Sequence, residues 1–475
     1  MITNKTNKKI FKTAVGVATL AVAAGMLSGC MFDASIEGLL SPPKLTEAQT
    51  AIYNALILNT GSQIELVYPR TGEYLSPFVV YDLDGGNGKP SAEEAIVFYR
   101  EISPQNQNES SLRINILDQQ DGDWVSVSDR PLSGVDIDSV SFHSFFGSGR
   151  PDNILVSCTG LGQSENSMYV LEYTGSELRE HFSGRYSIMD IITPADGSSP
   201  KLFWVGRDSA NFNRAYLGGV RSTSTNPEEN TEPVFESCAV DFNPNEVNVQ
   251  KITRQRISDS NSLIFLDYSV GDSTYGSLVF LCSFNTVYLT CVPSEDFVRK
   301  NNSNVPKLYC MDIDGDGRID IPITIPMAGY EALTIPEQYF WVDWYFVDEE
   351  NNFSISQKFN TYVSLGMEYV FYVPVRWQGF VSARRTDNTV NFFIYSGTYD
   401  EEPYIENVLL SVCVASELPA SNDGWELYAE RAGGNIYIKS PSPDNPMTLT
   451  ADELERCLSV LNTTQTASSS GAKVR

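Results

Sequence analysis

Histidine is nearly missing: the 475 residues hold two, His143 and His181. Neither sits in an HExxH or HxH spacing or beside a nucleophile motif, so the common zinc-hydrolase and serine-triad patterns are absent. No GxSxG, no phosphate-binding glycine loop and no Rossmann glycine pattern occurs either. Nothing singles out two of the carboxylates as a glycosidase pair. Basic residues are few, 33 Lys and Arg against 60 Asp and Glu, for a formal net charge of −27. A surface of that sign repels nucleic acid and favours cations. Beyond residue 29 no run reaches 18 continuous apolar residues, so nothing there has the length of a membrane-spanning helix. CxxC pairs are absent, and with them the zinc-ribbon spacing.

What is present begins with Lys5, Lys8, Lys9 and Lys12, then the apolar run AVGVATLAVAAGML, then small residues ending in LSGC at 27–30. A cationic start, a short apolar core and small residues before the cut predict a secretory signal. LSGC resembles the lipobox of bacterial lipoproteins. That resemblance implies cleavage after residue 29 and acylation of Cys30, which then anchors the chain. The localisation expected is the outer face of the cytoplasmic membrane, or the outer membrane in a diderm source. Removing residues 1–29 takes away four lysines and no acid, leaving 29 basic against 60 acidic residues and a formal charge of −31. The seven remaining cysteines, at 158, 238, 282, 291, 310, 413 and 457, are odd in number and mostly lie in apolar runs. They read as buried free thiols. SLVFLCSFNTVYLTC predicts a hairpin turning near Phe284 and Asn285, with Cys282 opposite about residue 287 rather than Cys291.

Between the ends, short runs rich in Val, Ile, Tyr, Phe and Trp alternate with Gly, Asp, Asn and Pro turns, which predicts an all-β chain. One pattern recurs: apolar strand, Asp/Gly loop, apolar strand, at 78–99, 140–158, 187–206, 262–282, 308–325 and 373–395. Its second strands are expected to start near 95, 154, 202, 278, 321 and 392. Further hairpins between copies make about four strands per repeat, which suits a propeller blade. The strand–DxDxDG–strand unit resembles the FG-GAP and VCBS repeats of integrin-like β-propellers. The resemblance is carried by DIDGDGRID at 312–320 and, less closely, by 82–97. It implies a single propeller of six or seven four-stranded blades over 61–445, with 64–74 pairing to 435–440 to close the ring. Capping boxes at Thr46/Gln49 and Thr450/Glu453 predict a helix on each side, 46–60 and 446–462. Residues 30–45 read as a tether and 463–475 as a disordered tail.

In DIDGDGRID, Asp312, Asp314, Asp316 and Asp320 stand at positions 1, 3, 5 and 9, with Gly317 allowing the turn. Calcium wants six to eight oxygens, and such spacing converges carboxylates, the Arg318 carbonyl adding one more. Position 12 is Ile323, not the Glu of an EF-hand, and the flanks are strands. A structural Ca2+ is therefore expected here, of the kind the resemblance implies. In the first copy Asp82, Asp84 and Asn87, with Glu93 or Glu94 behind, resemble the same ligands in a shifted register. YFWVDWYF (339–346) reads as a core strand packed on both faces, or as a sugar-stacking platform. Arg376, Trp377, Arg384 and Arg385 form a candidate anionic-ligand site, or else solvated side chains. The function expected is a monomeric, lipid-anchored binding module for a protein or glycan at the cell surface. The alternatives are a carbohydrate-active propeller lyase or hydrolase and an envelope-assembly scaffold.

Overall fold

The computed structural model describes residues 45–461 except for 62–63, 86–92, 103–110, 148–151, 161–165, 209, 211, 223–230, 241–246, 272–273, 293–301, 304, 398–406 and 420–423. The signal segment, Cys30, the tether, Asn87 and residues 462–475 lie outside the described residues. Contacts divide the chain into two compact units, residues 1–54 and 55–475, and all the sheets belong to the second.

The fold is all-β. Six antiparallel sheets of four or five strands follow one another along the chain. Sheet 1 runs Phe78–Tyr81, Glu94–Glu101, Ser111–Gln120, Asp123–Leu132, and sheet 2 runs Asp136–His143, Asn153–Thr159, Asn166–Tyr173, Leu178–Tyr186. Sheet 3 holds Ile188–Ile192, Lys201–Arg207, Asn213–Ser222 and Thr231–Ala239; sheet 4 holds Val247–Arg256, Asn261–Val270, Thr274–Ser283 and Tyr288–Val292. Sheet 5 begins at the Met311–Asp320 bridge and continues through Ile321–Pro326, Phe340–Asp348, Ser354–Ser364 and Tyr369–Tyr372. Sheet 6 is Val381–Thr386, Thr389–Ile394, Val408–Ala415, Asn435–Lys439 and Glu426–Ala429. Among the described residues there are two α-helices, Glu47–Thr60 and Ala451–Cys457, and neither is long and apolar enough to cross a membrane. Each opens on a capping box: Thr46 and Gln49, then Thr450 and Glu453, exchange their side-chain-to-amide bonds.

The strands stay together because every second side chain faces a different neighbour. In sheet 2, Ile154 and Val156 pack toward sheet 1, while Leu155 packs toward sheet 3. In sheet 3, Leu202 and Trp204 face sheet 2, and Phe203 and Val205 face sheet 4. In sheet 4, Ile264 and Leu266 face sheet 3, and Leu263 and Phe265 face sheet 5. A further cluster, with Trp341, Phe371 and Phe392, joins sheets 5 and 6. Near-continuous apolar runs are what a sheet buried on both faces requires. Where sheets 2 and 3 come closest, a side chain has no room. A Cβ on Gly206 would lie 2.0 Å from the Arg185 carbonyl oxygen, so glycine is needed there for space.

Three expectations are corrected. In the fourth repeat the first hairpin turns at 257–260, not at the Gly271 region, which joins the second and third strands. Both turns carry Asp and Ser, so composition alone did not separate them. With this frame the second strands start at 94, 153, 201, 261, 321 and 389, a more even spacing than the sequence suggested. Ile64–Leu66 pairs with Tyr99–Glu101 inside sheet 1, and Asn435–Lys439 pairs inside sheet 6, so these two segments do not join each other. The edge of sheet 5 is instead extended by Leu458–Val460, which pairs with Tyr369–Phe371. Finally, Cys282 faces Leu289, because the turn is wider than expected; Cys291 faces Phe280, and the seven described cysteines are all free.

Candidate metal centre

In five of the six sheets the last pair of the first hairpin follows one pattern. Tyr81 faces Glu94, His143 faces Asn153, Ile192 faces Lys201, Arg256 faces Ser262 and Met311 faces Asp320. All five second-strand partners are polar and buried. These hairpins turn at one end of neighbouring sheets. Tyr81 donates its hydroxyl to Asp152 across sheets 1 and 2, and the Ile319 amide donates to Gln255 Oε1 at 2.7 Å across sheets 5 and 4.

Among the described residues, the hairpins of sheets 1 and 5 share two hydrogen bonds. The Leu83 amide donates to Glu94 Oε2 at 2.6 Å, as the Ile313 amide does to Asp320 Oδ2 at 3.4 Å. The Gly85 amide donates to Asp82 Oδ1 at 2.9 Å, as the Gly315 amide does to Asp312 Oδ1 at 2.8 Å. Gly85 and Gly315 both have positive φ, 71° and 77°, the conformation glycine adopts without strain. Asp82, Asp84 and Glu94 therefore correspond to Asp312, Asp314 and Asp320. In each loop three carboxylates lie within 4.8 Å of one another: Asp82, Asp84 and Glu94 in one, Asp312, Asp314 and Asp316 in the other.

Their counter-charges differ. In sheet 5 the Lys358 ammonium sits among the carboxylates, 2.8 Å from Asp314 and Asp316 and 3.2 Å from Asp320 Oδ1. Asp312 accepts one amide on each oxygen, from Gly315 and Gly317. Asp320 is fully buried; burial pushes its carboxyl up to about 7, with Lys358 pulling the other way. Burial works against the Lys358 charge, but hydrogen bonds to Asp314, Asp316 and Asp320 outweigh it and hold the ammonium above its ordinary range. The Arg318 guanidinium stacks over Phe346.

In sheet 1 Glu94 is 1% exposed and forms no ion pair among the described residues. Burial pushes its carboxyl up to about 7; Asp84, Asp118 and Asp82 add to the rise, and the Leu83 amide opposes it. Among the described residues, the two sheets differ at one equivalent position. In sheet 5 the pairing of the third and fourth strands skips one residue, between Tyr345–Gln357 and Trp344–Phe359, and the skipped residue is Lys358. In sheet 1 the same skip falls between Leu117–Ser126 and Ile116–Ser128, and the skipped residue is Val127, packed on the core of sheets 1 and 2. A bulge re-aims its side chain; here it aims either an ammonium or an isopropyl group.

The other candidate residues are placed differently. Trp377 is fully buried, its indole donating to the Met447 carbonyl at 2.8 Å. Arg376 forms a bidentate pair with Glu453 and also donates to the Thr448 carbonyl, holding the C-terminal helix. Trp377 is thus a core side chain, while the Arg376 side chain is 34% exposed. Arg384 and Arg385 lie on Val381–Thr386, and Arg385 donates to the Asp387 carbonyl. In YFWVDWYF, Phe340, Trp341, Val342, Asp343 and Trp344 are buried core, while Tyr339, Tyr345 and Phe346 are half-buried. Sequence reasoning missed Lys358 and Val127. Nothing in ISQKF marks a lysine 38 residues past Asp320 as its neighbour.

Neither a family model nor a curated protein matches the chain. Solved structures that align include a mannose phosphorylase from Leishmania mexicana in complex with phosphate, at 12% identity, covering 57% of this chain and 87% of that one, TM-score 0.19. Another is the GH93 α-L-arabinofuranosidase of Fusarium graminearum with arabinobiose, at 12% identity, 80% and 98% coverage, TM-score 0.22. A third is a protein from Lactobacillus plantarum, at 8% identity, 73% and 94% coverage, TM-score 0.20. TM-scores this low carry no assignment.

Proposed function

We propose that the chain is an exported, lipid-anchored β-propeller of six blades that works as a monomeric binding module at the cell surface, with a structural Ca2+ in its first blade. The observation that supports it best is the pair of hydrogen bonds shared by the first hairpins of sheets 1 and 5, in a series of sheets packed face to face in chain order. Such a scaffold holds loops of unrelated sequence at one end, and loops on a rigid frame are where recognition concentrates. The lipid on Cys30 would hold that frame at the membrane surface. The ligand would be a protein or a glycan; the acidic surface disfavours nucleic acid.

The first hairpin suits a hard cation. Asp82, Asp84 and Glu94 bring their carboxylates together, and oxygen donors are what calcium takes. A divalent ion would keep the buried Glu94 ionised and tie the start of the second strand to the loop. Adding calcium to chelator-treated full-length protein should raise its melting midpoint by at least about 2 °C, and Asp84→Asn should lose the response. An unchanged midpoint in the parent protein removes the metal from the reading. The binding role is tested by cross-linking on intact cells, where one recurrent surface partner is expected. Turnover of a polysaccharide by the purified protein would replace that role with the carbohydrate-active alternative.

A further inference from the structure

We propose that Lys358 is the resident cation of the Asp312–Asp320 hairpin, so that the bulge residue on the fourth strand decides whether a blade of this chain needs a metal. The comparison with sheet 1 rests on the reading of the first hairpin as a calcium site; the role of Lys358 does not.

An ammonium carries three N–H donors and no acceptor. Lys358 meets Asp314, Asp316 and Asp320, three carboxylates from two ends of one loop. Its side chain is 17% exposed, and its charge lies 5.5 Å from the centre of the Phe359 ring. These contacts do what a structural ion would do: they neutralise the converging acids and tie the loop to the first residue of the second strand. A divalent ion placed among the same three carboxylates would have to expel Nζ, since two cations a few ångströms apart repel strongly in a partly buried site. The loop that best spells a calcium motif is therefore the one that supplies its own charge. In sheet 1 the corresponding Val127 has none to supply.

The number of calcium ions bound per full-length chain, read by native mass spectrometry and equilibrium dialysis, tests this. The parent protein should bind one, Lys358→Met two and Val127→Lys none. Lys358→Met should also melt several degrees lower in chelator and regain part of the loss in calcium. Two ions in the parent protein, or no gain in Lys358→Met, overturns the proposal. Should Lys358→Met not fold, Val127→Lys decides, and retention of its ion counts against the proposal. A parent protein with none and Lys358→Met with one would keep the role of Lys358 and end the calcium reading of the first hairpin.

Discussion

Trp377→Ala is expected to lower folding stability by about 3–5 kcal/mol, the cost of deleting a large aromatic from a packed interior. Trp377 has no exposed surface and packs near Phe371 and Phe392 between sheets 5 and 6. Its indole N–H also satisfies the Met447 carbonyl, just ahead of the C-terminal helix. Removing the ring leaves a cavity and an unmet acceptor at once, so both the denaturation midpoint and amide protection over 447–460 should fall. Arg385→Ala, on an exposed side chain of the next strand, should stay within about 0.5 kcal/mol. A mild Trp377→Ala effect with loss of a bound anion would instead restore the ligand-site reading of this turn.

The second large effect is at Lys201, which occupies in sheet 3 the position Glu94 and Asp320 hold in sheets 1 and 5. It is 2% exposed, and its ammonium donates to the Ser199 carbonyl at 2.8 Å, its one hydrogen bond among the described residues. Burial lowers its pKa from 10.5 to about 8, with Asp196 pulling the other way. For a lysine depressed in the fold, the neutral form is the one folding prefers. Its contribution to stability is complete above pH 10.5 and falls as the pH drops to 8. Below that the full cost of a buried charge remains. Lys201→Met should therefore gain roughly 2–3 kcal/mol at pH 7, and the gain should shrink as the pH is raised from 8 to 10.5. Urea midpoints across that range decide it. A loss of stability at pH 7 would mean the ammonium is well satisfied where it lies.

The all-β fold was legible because two-sided burial writes near-continuous apolar strands between Asp/Gly turns. Capping chemistry at Thr46 and Thr450 was legible because it is local. The frame of the fourth repeat was not, since the stretches 257–260 and 271–273 both offer Asp and Ser as turn formers. The acids of both hairpins could be read off their spacing. Their counter-charges could not, because a bulge two strands away selects Lys358 or Val127, and bulges leave no mark in composition. Trp377 and Arg376 looked like a surface pair in a polar stretch; the helix that covers them begins more than seventy residues later.

The Leu458–Val460 strand sets an order of events during synthesis. The edge it covers, Tyr369–Tyr372, leaves the ribosome about 85 residues earlier, roughly ten seconds at ordinary elongation rates. Through that interval the nascent fifth sheet presents unpaired amides and carbonyls, the kind of edge on which chains misassemble. The whole of the sixth sheet is made while the fifth waits for its border.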